Sequence, residues 1–266
     1  GGFNTAVGTD ALAANTTASD NTAFGNSALL SNTTGTQNAA VGKDALRSNT
    51  TADNNTAVGH SALKTNTTGT TCTAVGLQAL TANTTGSNNN GFGVNTLLVN
   101  TTGTANVAVG RSALSDNTTG SNNTAVGHQA LDANTTASSN TAVGYQALYS
   151  NTTGTNNTAV GVSALLNGVT GNRNIAVGNI ALRDNLTGND NVGIGVEALK
   201  ENSTGFANVS VGSFSLDFNT TGARNTGLGH GTLSETETSN DNTAVGYHSL
   251  NANTGASNVA VGKGAL

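Results

Sequence analysis

The side chains in this 266-residue chain that are best equipped for metal, nucleophilic or acid–base chemistry are few: His60, His128, His230 and His248, a single Cys72, and the carboxylate pair Glu235 and Glu237. Imidazoles ligate transition metals and shuttle protons near neutral pH, a lone thiol serves as nucleophile or cross-link, and two neighbouring carboxylates can divide acid and base roles. Two glycine-rich fragments, Gly193-Ile194-Gly195 and Gly227-Leu228-Gly229, look like pieces of a phosphate-binding loop. At one recurring place in the sequence, typically Asn-Thr-Thr, twelve asparagines begin Asn-x-Ser/Thr and are formal acceptors for N-linked sugar: Asn15, Asn32, Asn49, Asn66, Asn83, Asn100, Asn117, Asn134, Asn151, Asn185, Asn202 and Asn219.

Whether any of these groups can act together depends on what positions them, and that is a repeat. The glycine following Ala-Val recurs at Gly8, Gly25, Gly42 and onward to Gly246 every 17 residues, and the last step, to Gly262, is 16. A fixed period of this kind signals stacked structural units. The repeat is numbered here from the asparagine four residues before the glycine, as in Asn140-Thr141-Ala142-Val143-Gly144. Position 2 is Thr in most copies and Val107, Ile175, Val192, Val209 or Val259 in others; position 4 is Val, or Phe24, Phe92, Ile194 or Leu228. Positions 3 and 5 are small, which with 2 and 4 gives the period-two alternation of a strand. Position 9 is Leu in every copy, from Leu12 to Leu266. The expected core is therefore position 4 plus position 9: Val7 and Leu12, Val41 and Leu46, Val143 and Leu148, Val177 and Leu182. The small positions 3 and 5 become the face for another chain.

Seventeen extended residues exceed one short strand, so each repeat reads as two short strands and two corners, one of them Asn-Thr-Thr-Gly at positions 12 to 15. The expected fold class is all-β: a parallel β-solenoid of sixteen repeats over residues 1–266 as a single domain, expected to be a segment of a longer repetitive protein. Asparagine and threonine at fixed positions suit side-chain ladders from rung to rung. Val and Leu burial offsets only part of the entropy of ordering each rung, so self-association is expected.

This register disposes of most of the chemistry. His60 and His128 fall four rungs apart, about 19 Å at about 4.8 Å per rung, too far to share an ion at about 2 Å per bond. The Gly-x-Gly fragments are ordinary positions 3 to 5. Cys72 replaces an asparagine as a small neutral residue, and Glu235 and Glu237 decorate a variant corner with no nucleophile recurring beside them. Tyr145, Tyr149 and Tyr247 lie on the variable face, available to a glycan or receptor. We expect no catalytic residues, no metal and no cofactor. A net charge of −5 with nine Lys and Arg offers no footprint for nucleic acid, and no apolar run is long enough for membrane insertion.

Asn-Thr-Ala-Val-Gly and the variants Asn106-Val107-Ala108-Val109-Gly110 and Asn174-Ile175-Ala176-Val177-Gly178 resemble the Ser/Asn-Val-Ala-Ile-Gly repeats of trimeric autotransporter adhesin heads of the YadA-like kind. The full unit through Tyr145-Gln146-Ala147-Leu148-Tyr149-Ser150-Asn151-Thr152-Thr153-Gly154 is similar to repeats of phage and bacterial tail fibres. The resemblance covers the whole chain and implies a left-handed β-roll, a homotrimer, an extracellular, cell-surface or virion location, and a non-catalytic job as shaft or head. Two other readings are carried. An ice-binding solenoid needs outward Thr rows, but position 2 is assigned to the core. A glycan-coated filament needs sugar on the Asn-Thr-Thr corners, against which neighbouring rungs about 4.8 Å apart argue.

Overall fold

A computed structural model describes residues 2–266. The chain divides into two compact units, Gly1–Thr136 and Ala137–Leu266. Both are parallel β-solenoids with one three-residue strand per turn. The first runs from β1 (Thr5–Val7) to β8 (Thr124–Val126), the second from β9 (Thr141–Val143) to β16 (Val259–Val261). Within each unit successive strands pair in parallel and in strict repeat register, as in Ala40 with Ala57 or Ala159 with Ala176. No helix occurs among the described residues.

The expected second strand is absent. Positions 6 to 11 form turns in which positions 7 and 9 take left-handed backbone conformations, as at Ser61 and Leu63 with φ of 58° and 49°. A third left-handed residue sits at position 17, for example Gln37 with φ of 58°. These turns are nevertheless laddered. Leu46 N–H donates to Ala62 O at 3.0 Å and Ser48 N–H to Lys64 O at 3.0 Å, in the following turn. Ser61 N–H donates back to Lys43 O at 2.9 Å. The turn-to-turn bonds thus satisfy backbone groups that a bent segment would otherwise leave to water. They hold Leu in a conformation that non-glycine residues seldom adopt.

The strand faces are the reverse of the expectation. Position 3 points inward and is buried from Ala23 through Ala260, while position 4 points out: Val7, Val41 and Val143 are 49%, 39% and 36% exposed, and Val177 is half-buried. Leu12, Leu46, Leu148 and Leu182 do lie in the core. The physical reason is width. The leucine of one turn reaches the inner face of the next strand: a Cβ added to Gly193 would lie 3.2 Å from Leu182 Cδ1. That gap takes an alanine methyl and excludes a valine. Alternation fixes which residues share a face, and the space beside leucine fixes which face turns in. It follows that position 3 cannot be the surface offered to another chain, while the position-5 glycines, such as Gly25 and Gly42, are half-buried.

Two asparagine columns complete the interior. At position 1, Asn55 N–H donates to Asn38 Oδ1 at 3.0 Å while Asn55 Nδ2 donates to Gly69 O at 3.0 Å. At position 12, Asn66 Nδ2 donates to Asn49 Oδ1 at 3.1 Å and to Gly69 O at 2.9 Å. Threonine at position 13 adds an outer ladder, as where Thr67 Oγ1 donates to Thr84 O at 3.0 Å. The glycine at position 5 is required twice over. Gly42 has φ of 132°, and a Cβ there would stand 2.6 Å from Gly59 O in the next turn.

Candidate functional site

The outward strand face is the most extensive feature. Position 2 contributes half-buried or exposed Thr, Val or Ile, and position 4 a column of exposed apolar side chains that includes Val58, Phe92, Val109, Val126 in the first unit and Val160, Ile194, Val211, Leu228 in the second. Because each strand is in register with the next, side chains of like kind stack into straight columns. Both columns are apolar where position 2 is Val107, Ile175, Val192, Val209 or Val259. Exposed apolar side chains aligned in this way form the most regular apolar feature of the surface.

The sequence-predicted reactive groups are placed one by one. Cys72 is fully buried in the position-1 column, and its thiol is pushed up to about 11 by that burial, with the backbone N–H groups of Asn89 and Asn88 pulling the other way. Glu235 and Glu237 are exposed and line a shallow depression with Phe218. Gly193 and Gly227 are the middle residues of their strands and Gly195 and Gly229 follow those strands directly, so neither pair builds a phosphate loop. Eleven of the twelve sequon asparagines are buried at 0–1% exposure and Asn15 is half-buried. No three His, Cys, Asp or Glu side chains converge to hold a metal among the described residues, and no helix long and apolar enough to cross a membrane occurs among them.

Charge is arranged along the turns. Arg173 Nε meets Asp190 Oδ1 at 2.6 Å and Arg224 Nε meets Asp241 Oδ1 at 2.6 Å, both pairs linking position 17 of adjacent turns. The guanidinium hydrogen bond holds each aspartate below its ordinary pKa. At position 10 the trend reverses. Asp217 is buried and its carboxyl is pushed up to about 6, burial outweighing its own backbone hydrogen bond and Lys200. Asp132 is likewise raised to about 6 by burial and by Asp116, against His128.

One grouping escaped the sequence reading. In the second unit His230 and His248 have ring centroids 5.5 Å apart, with Tyr247 stacked on His230 at 5.4 Å and Phe214 edge-on to it at 5.5 Å. The signal was present: the two histidines are separated by eighteen residues, one period plus one, which sets position 6 beside position 7 of the next turn. No family model matches the chain, and no curated protein matches it.

Proposed function

We propose that the chain is a non-catalytic structural repeat segment of an extracellular fibre, the shaft or head of a tail fibre or surface adhesin, in which three copies of a left-handed β-roll pack strand face to strand face. The observation that supports this is the outward column at position 4. Its 17-residue pitch is matched by another copy of the same chain, turn against turn, and three such copies would bury the Val, Phe, Ile and Leu side chains that each leaves in water. The variable residues at positions 6, 7, 10 and 11 then form the outer surface, open to a cell-surface glycan or receptor. The resemblance to adhesin and tail-fibre repeats carries the trimer and the location; fold alone would carry neither.

Light scattering tests the assembly. The wild-type chain is expected at three times its 26.1 kDa mass. Val109→Asp with Val160→Asp should yield monomer, whereas His60→Asp on the variable surface should leave the trimer intact. A wild-type monomer with the same β spectrum would refute the reading. One observation favours a second function: position-2 threonines face outward beside position 4, the arrangement of an ice-binding face. A monomer showing thermal hysteresis would select that function instead.

A further inference from the structure

The second unit builds a site from the pair that the repeat brings together. His230 is exposed and His248 half-buried, their rings 5.5 Å apart and tilted by 57°. Gly231 makes the approach feasible. It holds position 7 of its turn, and a Cβ there would stand 2.7 Å from Cε1 and 2.9 Å from Nδ1 of His248, so any other residue would push the ring away. The tautomer is set as well. His248 Nδ1 lies 3.3 Å from Asn251 Oδ1, an oxygen that also accepts from Ser234 Oγ. An amide oxygen can only accept, so Nδ1 carries the proton and Nε2 keeps its lone pair. Tyr247 covers a face of the His230 ring, at an interplanar angle of 19°, and meets His248 edge-on at 4.3 Å. Both contacts steady the rings, and His230 stays exposed.

We propose that His230 and His248 form a two-imidazole chelating site for a divalent transition-metal ion, Cu2+ being held most tightly. Nitrogens bound to one ion at about 2.1 Å stand about 3 Å apart, a separation these rings reach by small rotations about their side-chain torsions. The Nδ1–H of His248 bonded to Asn251 supplies the outer partner that metal-bound histidines use to hold their orientation. Water completes the coordination, since no third His, Cys, Asp or Glu converges there among the described residues. Imidazole nitrogen favours Cu2+ over Ni2+ and Zn2+ and rejects the oxygen-seeking Ca2+ and Mg2+.

Titration of the full chain with Cu2+, above the ordinary histidine pKa of about 6.5, followed by paramagnetic broadening of the histidine Cε1–H resonances, tests the site. His60 and His128 serve as internal references. His230 and His248 are expected to broaden together at a Cu2+ concentration at least roughly tenfold below that affecting the other two, because two ligands on one rigid turn pair act as a chelate. His230→Gln should raise the His248 threshold to the level of His60, Asn251→Ala should raise it partway, and Ca2+ should have no effect. Circular dichroism checks that the variants keep the fold. A common threshold for all four histidines, or a His248 threshold unmoved by His230→Gln, would overturn the proposal and leave the rings as packing partners only.

Discussion

At the scale of single residues, the interior of each turn is a packing problem in which positions 3 and 8 share one space. Position 3 is usually Ala and position 8 usually Ala, but Gly91 is followed by Thr96 and Gly227 by Thr232. A Cβ on Gly91 would lie 2.8 Å from Thr96 Oγ1, and one on Gly227 would lie 2.7 Å from Thr232 Oγ1. The larger residue at position 8 therefore fills the space that glycine vacates. Thr96 Oγ1 is itself satisfied by Gly93 O at 3.2 Å, so the exchange buries no orphaned hydroxyl. Gly91→Ala alone should cost about 1–3 kcal/mol by overpacking. Thr96→Ala alone opens a cavity, and the double substitution should recover most of both losses because it restores the commoner pair. Chemical denaturation of the four proteins measures the coupling. Additive losses would mean that the two side chains do not share one space. Cys72 shows the same economy in the polar column, where sulfur faces the Asn89 N–H that an asparagine oxygen would otherwise accept.

At the scale of the element, the strand is three residues long and its identity comes from which side is occupied. Ala108 is fully buried while Val109 beside it is 37% exposed. Ala108→Asp places a carboxylate with no partner beside leucine and should abolish the β signal, since an unpaired buried charge costs several kcal/mol. Val109→Asp should leave the β signal of the chain intact, its carboxylate reaching water. Circular dichroism and urea midpoints separate the two, and equal loss of structure in both would mean that the inner and outer faces have been assigned wrongly. The sequence displayed the period, the strand at positions 2 to 4, the leucine core and the side-chain ladders, because repetition reports every shared position sixteen times over. It concealed the direction of the strand, because alternation of Thr-Ala-Val is symmetric to the eye and the bulkier side chains are normally the buried ones. It also concealed the turn around Leu148, whose φ of 53° no leucine advertises. The left-handed residues there are held by bonds from neighbouring turns, a source of stability that local propensity does not register. The paired histidines were hidden for a different reason: they occupy unlike repeat positions, and only the geometry of the turn shows that positions 6 and 7 of successive turns meet.

At the scale of the whole molecule, the question is what the twelve Asn-x-Ser/Thr sites at position 12 mean for a chain proposed to work outside the cell. Enzymatic glycosylation replaces a hydrogen on Nδ2 with a sugar, and in the solenoid that atom is committed. Asn49 Nδ2 donates to Asn32 Oδ1 at 2.8 Å and to Ala52 O at 3.0 Å, and Asn117 Nδ2 to Asn100 Oδ1 at 2.7 Å and to Gly120 O at 3.0 Å. Both hydrogens of each amide are used, and the side chains are fully buried. A sugar at such a site would break the column and need a space that stacked turns do not leave. Attachment before folding and completion of the solenoid are therefore alternatives for each turn. Asn15 differs: it is half-buried, and its amide makes a longer bond, 3.4 Å to Ala18 O. For material expressed through a eukaryotic secretory route, the fraction with a cooperative unfolding transition should show an intact mass free of sugar increments at the buried sites, with only Asn15 and the exposed position-17 acceptors Asn54, Asn122 and Asn156 open to modification. Chains carrying glycan at Asn49 or Asn117 should lack the β spectrum. Recovery of a fully β-structured, cooperatively melting chain with sugar on most of the twelve asparagines would refute the inward placement of the position-12 column, and with it the account of what fills the core.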